Sequence, residues 1–315
     1  MNSDQPIDLD KQAELMKKYV VYTRKTRVQK LLVYTGYFRL SRYGKYLLSQ
    51  SNIIKSKPNQ ELLFEAYDFD VKVRKVFFDY VKKAEIQFKS HLVNAVSLKV
   101  NDSAFYLDQQ YYTPSKGDND KIKKKANRKF FAEKFFENLK KQEEELRRNV
   151  TKFPELKDYR NGGGRSKQKI PCWAALSYFD FGTVTNIYAY LRGDLRKEVL
   201  VYGYSGKNYG KQVTKQMDTW LDATRNLRNV CSHHNKLIGK TSSIVLPESG
   251  EDEILVTNTD LFSRIYALRK LLNEKDVKQL KVDLDKIIRK TKFDLYLFGI
   301  LPSDWKERFD RINKL

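Results

Sequence analysis

The stretch RNVCSHHNK, Arg228 to Lys236, holds two of the three histidines in a 315-residue chain. Arg228 and Asn229 stand five and four positions before His233. Imidazole exchanges protons near neutral pH, and guanidinium keeps its charge and grips phosphate through a planar fork. Those two groups suffice for one reaction on RNA, because the substrate brings its own nucleophile. An imidazole takes the proton of a 2′-hydroxyl, which attacks the adjacent phosphorus while an arginine stabilises the growing charge on the phosphoryl oxygens. A protonated histidine then serves the leaving 5′-oxygen. The product is a 2′,3′-cyclic phosphate formed without a metal, and DNA, lacking the 2′-hydroxyl, is refractory. In that scheme His233 is the acid/base group, Arg228 binds phosphate and Asn229 orients them through its amide. The competing interpretation is an arginine and a histidine on a solvated helix face.

The surrounding residues must position this set. In DTWLDATRNLRNVCSHHNKLIGK the positions Trp220, Thr224, Leu227, Cys231, His234 and Ile238 recur at spacings of three and four, which predicts a helix over about 216–239. Its apolar stripe includes His234, expected as a packed core histidine whose loss costs stability more than chemistry. Arg228, Asn229, Ser232, His233 and Lys236 fall on the other side, and Gly239 supplies a stop. Arg228 and His233 are roughly 140° apart around such a helix, so they flank Asn229 rather than align. A face that broad becomes a site when a second surface closes over it. The simplest second surface is the same helix of another copy in a two-fold dimer.

Other constellations are weaker. Cys231, His233 and His234 lack the second ligand pair of a zinc site, and Cys231 on the core stripe is poorly placed as a nucleophile. Asp68 and Asp70 in YDFDVKVRK are expected to cap or flank a helix start, and His91 to be structural. No metal and no cofactor is expected.

Lys plus Arg outnumber Asp plus Glu by 61 to 39, a formal charge of +22 that draws polyanions. Nucleic acid is the leading partner class; an anionic membrane surface or a lysine-rich proteome would also account for the excess. Candidate RNA-binding cations are Arg39 and Arg42, then Lys123, Lys124, Lys125 and Arg128 in KIKKKANRK, and Lys236 beside the motif. Two cysteines cannot form a disulfide framework and fit a reducing cytosol. With a polar N-terminus and no long apolar run, the chain is expected to be soluble, cytoplasmic and not a membrane protein.

Only seven prolines and fourteen glycines interrupt the chain, and three-and-four periodicity dominates, so an all-α fold is expected. The expected organisation is an N-terminal helical extension over 1–54 and a helical domain over 55–315 carrying a charged insertion at about 112–168. Within LLVYTGYFRLSRYGKYLL, Tyr37, Phe38, Leu40 and Tyr43 are expected to pack while Arg39 and Arg42 face out. A long helix is expected from Glu61 to Leu98. In the insertion, charge blocks suggest an exposed helix and DYRNGGGRSKQK a linker, and SSIVLPESGEDEILVTN suggests a small β-hairpin.

The segments TGYFRLSRY, YDFDVKVRKVFFDYVKKAEIQFKSHL, IPCWAALSYFDFGTV, WLDATRNLRNVCSHHNKL and GILPSDW together resemble, in order, the Abi-like (abortive infection, AbiF/AbiD type) family of the HEPN superfamily. The resemblance spans about residues 20–305. The family's signature of Arg, Asn, three residues and His falls on Arg228, Asn229 and His233. The resemblance implies an all-helical fold, metal-independent ribonuclease activity at a composite site of a homodimer, and anti-phage defence by damage to RNA. Similar motifs occur in RNA-targeting CRISPR effectors. It also implies a small non-coding RNA as a partner of some members. Alternatives left open are a non-catalytic RNA-binding module and a toxin held by a protein antitoxin. Where the family has Glu followed four residues later by Arg, this chain has Glu85 and Lys89, which keeps the charge and loses the fork.

Overall fold

A computed structural model describes residues 5–113, 125–149, 151–160, 169–204, 211–239, 255 and 260–312. Helices account for nearly all regular structure in them. The first five are α1 (Leu9–Met16), α2 (Lys25–Thr35), α3 (Tyr37–Ser49), α4 (Ser51–Ile54) and the 41-residue α5 (Gln60–Val100). The middle of the chain forms α6 (Lys125–Arg148), α7 (Lys157–Arg160), α8 (Cys172–Tyr178), α9 (Phe181–Tyr190) and α10 (Gly193–Tyr204). The last four are α11 (Lys211–Ser232), α12 (Leu261–Leu271), α13 (Glu274–Lys290) and α14 (Trp305–Arg311). Among the described residues β-pairing is confined to two isolated bridges, so the all-α expectation is met.

The chain divides into two compact units. One is built from Met1–Tyr80, Asn226–Tyr266 and Glu274–Ile312, the other mainly from Val81–Arg225 and Ala267–Asn273. Residues 1–54 therefore share a unit with the C-terminal end of α11 and with the motif.

In the first unit, α5 buries Leu63, Ala66, Phe69, Val73 and Phe77, a helical stripe. Phe69 meets Phe293 at 6.2 Å between ring centroids, and the Tyr80 hydroxyl donates to Asp283 on α13 at 2.7 Å. On α3 the buried residues are Leu40, Ser41, Tyr43, Gly44 and Leu47. Phe38 falls outside that phase and is 76% exposed, contrary to the expectation that it packs, and Arg42 lies over its ring. The 1.5 Å rise and 100° turn per residue put Phe38 on the far side of the helix from Leu40.

In the second unit, Phe88 of α5 packs edge-on against Phe181 and Tyr188 of α9. The turn between α8 and α9 is set by Asp180, whose carboxylate accepts from the Thr183 N–H at 2.9 Å and caps α9. The charged insertion is less solvated than expected, because α6 buries Phe136, Leu139 and Leu146, and buried Glu143 accepts from the Ile170 N–H. Phe136, Leu139, Glu143 and Leu146 recur at spacings of three and four, so one helical face is buried although one of its members is an acid. Of the expected linker at 158–169, Asp158 to Arg160 belong to α7 and 161–168 lie outside the described residues, as does the expected hairpin at 242–258 apart from Leu255. No helix among the described residues is long and apolar enough to cross a membrane.

Candidate RNA-cleavage site

The motif lies at the C-terminal end of α11, inside the first unit. Trp220, Thr224, Leu227 and Cys231 are buried, as the spacing predicts. Arg228 is half-buried, while Asn229 and His233 are exposed. The His233 N–H donates to the Asn229 carbonyl at 3.1 Å, continuing the bonding pattern of an α-helix. Helical phase therefore holds from Arg228 through His233. The same Asn229 carbonyl accepts from the Ser232 hydroxyl at 3.2 Å.

At His234 the phase breaks. Its N–H donates to Cys231 and the Asn235 N–H reaches back to Val230 at 2.9 Å, and His234 takes a left-handed φ of 53°. These are the two bonds of a Schellman cap, with histidine where glycine is usual. The helix thus ends at Ser232, seven residues before Gly239. His234 is exposed, so its expected place in the core is overturned. Leu237 and Ile238 beyond the turn are buried in its stead. Replacing His234 with glycine should raise the unfolding free energy by about 0.5–1 kcal/mol, because a β-carbon is disfavoured in this conformation. His234→Val should lower it, and urea denaturation reads both; a fall with glycine would sink this assignment of the turn.

Asp70 anchors the loop beyond the turn. Its Oδ1 accepts from the N–H groups of both Leu237 and Ile238 at 2.8 Å, and its Oδ2 accepts from the Tyr43 hydroxyl at 2.6 Å and Arg74 Nε at 2.7 Å. This buried carboxylate lies in the interior of α5 and holds α3, α5 and the loop after α11 together. The expectation that Asp68 and Asp70 cap a helix start is therefore corrected. Asp68 is exposed and pairs with Lys72. A sequence signal for Asp70 does exist: with Ala66, Val73 and Phe77 it keeps helical spacing on the buried stripe, where a lone acid needs partners. Further along the loop, Gly239 has a φ of 59°, and a β-carbon there would fall 2.1 Å from the Tyr46 ring.

Lys236 sits with its ammonium 4.4 Å from the centre of that ring. Burial lowers its pKa to about 8, against a raising effect of Asp70 and with a further lowering by Arg42. Arg42 Nη1 donates to Asn235 Oδ1 at 3.4 Å, so it is half-buried against the loop instead of simply facing out. Arg39 is exposed. Lys125 and Arg128 are on α6, whereas Lys123 and Lys124 lie outside the described residues. The structure therefore gathers Arg39, Arg42 and Lys236 around the end of the motif.

Burial pushes the Cys231 thiol up to about 12, an environment for a packing residue and not a nucleophile. Among the described residues no three His, Cys, Asp or Glu side chains are grouped to hold a metal ion. In the second unit, His91 packs edge-on against Tyr204, and burial lowers its pKa, in keeping with a structural role. Lys89 pairs with Glu85 at 2.9 Å and donates to the Phe179 carbonyl at 2.7 Å. That makes the pair a tie between α5 and the α8–α9 turn.

The sequence profile of the Abi-like protein family matches residues 30–239. The chain belongs to the Abi-like family. Neither the curated proteins nor the solved structures compared with it gave a match. The part of this Abi-like chain that carries the family match contains Tyr43, Asp70, Arg74 and the whole segment from Arg228 to Gly239. The buried carboxylate and the exposed motif thus lie in one family-matched span and one structural unit.

Proposed function

We propose that this Abi-like protein is a metal-independent endoribonuclease of the HEPN type, acting in the bacterial cytoplasm in abortive-infection defence against phage. Two copies would meet about a two-fold axis and place their α11 ends against one RNA strand. One His233 takes the 2′-hydroxyl proton, the O2′–P bond forms and the P–O5′ bond breaks. The other His233 gives its proton to the departing 5′-oxygen. Arg228 holds the phosphoryl oxygens, and Asn229, exposed on the same stretch of helix, orients the two groups through its side-chain amide. A small non-coding RNA is the partner proposed for regulation.

The observation that supports this most is the end of α11, where Arg228, Asn229 and His233 stay in helical phase while the next residue turns away. The cations at that end also suit an RNA-binding module without chemistry. Purified protein incubated with end-labelled RNA in EDTA separates the two. Cleavage to 2′,3′-cyclic phosphate ends is expected, with a DNA strand of the same sequence left intact. Binding without cleavage, with and without co-purifying RNA, would leave only the binding module.

A further inference from the structure

A cavity of about 460 Å³ opens beside the motif, walled by α3, α5 and the turn after α11. Its lining includes Cys231, Ser232, His234 and Lys236, but not Arg228, Asn229 or His233. It is thus a compartment next to the proposed cleavage site and distinct from it. Four cations reach it: Arg39, Arg42, Lys75 and Lys236. Arg74 also lines it and is neutralised by Asp70. Among the described residues no carboxylate pairs with any of the other four. Tyr67, Phe78 and the buried Tyr43 add aromatic surface, with Tyr67 edge-on to Tyr43 at 5.3 Å.

Three features narrow the ligand. Uncompensated cations call for an anion, and guanidinium groups favour phosphate through their planar fork. Aromatic walls beside a cationic rim are the means by which proteins hold single-stranded nucleic acid, bases on rings and phosphates on cations. The volume lies within the roughly 300–1,000 Å³ range of small-ligand pockets, enough for one nucleotide. A bare anion would leave the aromatic surface unused. We propose that this cavity binds one nucleotide of an RNA strand, its phosphate held by Arg39, Arg42 and Lys236 and its base against Tyr67 and Phe78. The strand's neighbouring phosphate then lies at the end of α11, where His233 directly precedes His234 of the cavity wall.

Lys236 supports the assignment through what the burial of its charge costs the fold. Its neighbours are Tyr46 and Arg42 on α3 and Asp70 on α5, with Lys75 lining the same cavity. With a folded pKa of about 8 against an ordinary value of 10.5, the folded protein binds this proton less well than the unfolded chain does. Stability is therefore penalised below pH 8 and recovers as pH rises from about 8 toward 10.5. A phosphate in the cavity offsets that penalty.

The choice of RNA as the polymer rests on the proposed nuclease reading, so binding is measured apart from cleavage. The probe is a fluorescent 2′-fluoro decaribonucleotide, which has no 2′-hydroxyl to attack, followed by anisotropy. Arg39→Glu/Lys75→Glu should weaken it at least tenfold and flatten the slope of log affinity against log salt by about one unit or more. Lys236→Met should also weaken it severalfold while leaving stability at pH 7 unchanged or higher, which a merely structural lysine would not do. Lys290→Glu/Lys292→Glu, with the same change of charge at exposed positions, should weaken it less than twofold. Equal losses in the cavity and control variants, or no loss in either, would overturn the proposal. Adenosine monophosphate binding that is lost in the cavity variants while strand binding persists would also overturn it, in favour of a free nucleotide.

Discussion

Arg228→Ala and His233→Ala should each slow RNA cleavage by about 10²–10⁴-fold, with unfolding free energies within about 1 kcal/mol of the unaltered chain. His233 is exposed beyond the last helical residue, so its removal empties no core. Arg228→Lys should fall between the arginine and alanine proteins, because the charge survives without the fork. Mixing the unaltered chain with an excess of His233→Ala tests the composite site. A heterodimer retains one His233 where the reaction uses two, so cleavage per unaltered copy should fall as the excess grows. A site complete within one copy predicts no such fall, and cleavage surviving in both alanine variants would assign the activity to other residues.

Long helices and the phase of the motif were legible in the sequence because both depend on local spacing. The Glu61–Leu98 periodicity anticipates α5 to within two residues at either end, and the stripe from Trp220 to Cys231 is buried as spaced. His234 was not legible, because the end of α11 is not a local matter. The chain leaves the helix where Leu237 and Ile238 can give their N–H groups to Asp70, 167 and 168 residues earlier. That long-range acceptor outweighs the one more turn that Gly239 and the apolar spacing would have allowed. The cavity escaped for a related reason. Arg39, Lys75 and Lys236 come from three separate segments, and only the packing of α3 on α5 brings them to one hollow.

Asp70→Ala should cost about 3–5 kcal/mol of stability, the largest loss expected of any single substitution around the motif. The carboxylate is fully buried, and four donors converge on it: two backbone N–H groups, a tyrosine hydroxyl and a guanidinium. Its removal leaves Arg74 charged in a site where only 6% of its surface is exposed, and leaves two N–H groups without acceptors. Asp70→Asn should cost less, about 1–3 kcal/mol, because one oxygen still faces the loop while the amide turns a donor toward Arg74. A double variant, Asp70→Leu/Arg74→Met, separates stability from position. Replacing a buried ion pair with apolar side chains recovers much of the lost stability, yet nothing then accepts from Leu237 and Ile238. Urea denaturation should show the recovery relative to Asp70→Ala, while cleavage by the folded protein and binding of the 2′-fluoro strand stay depressed, since the loop that carries Lys236 just after His233 is no longer tied to α5. Full cleavage and binding in a restabilised double variant would reduce Asp70 to a packing residue.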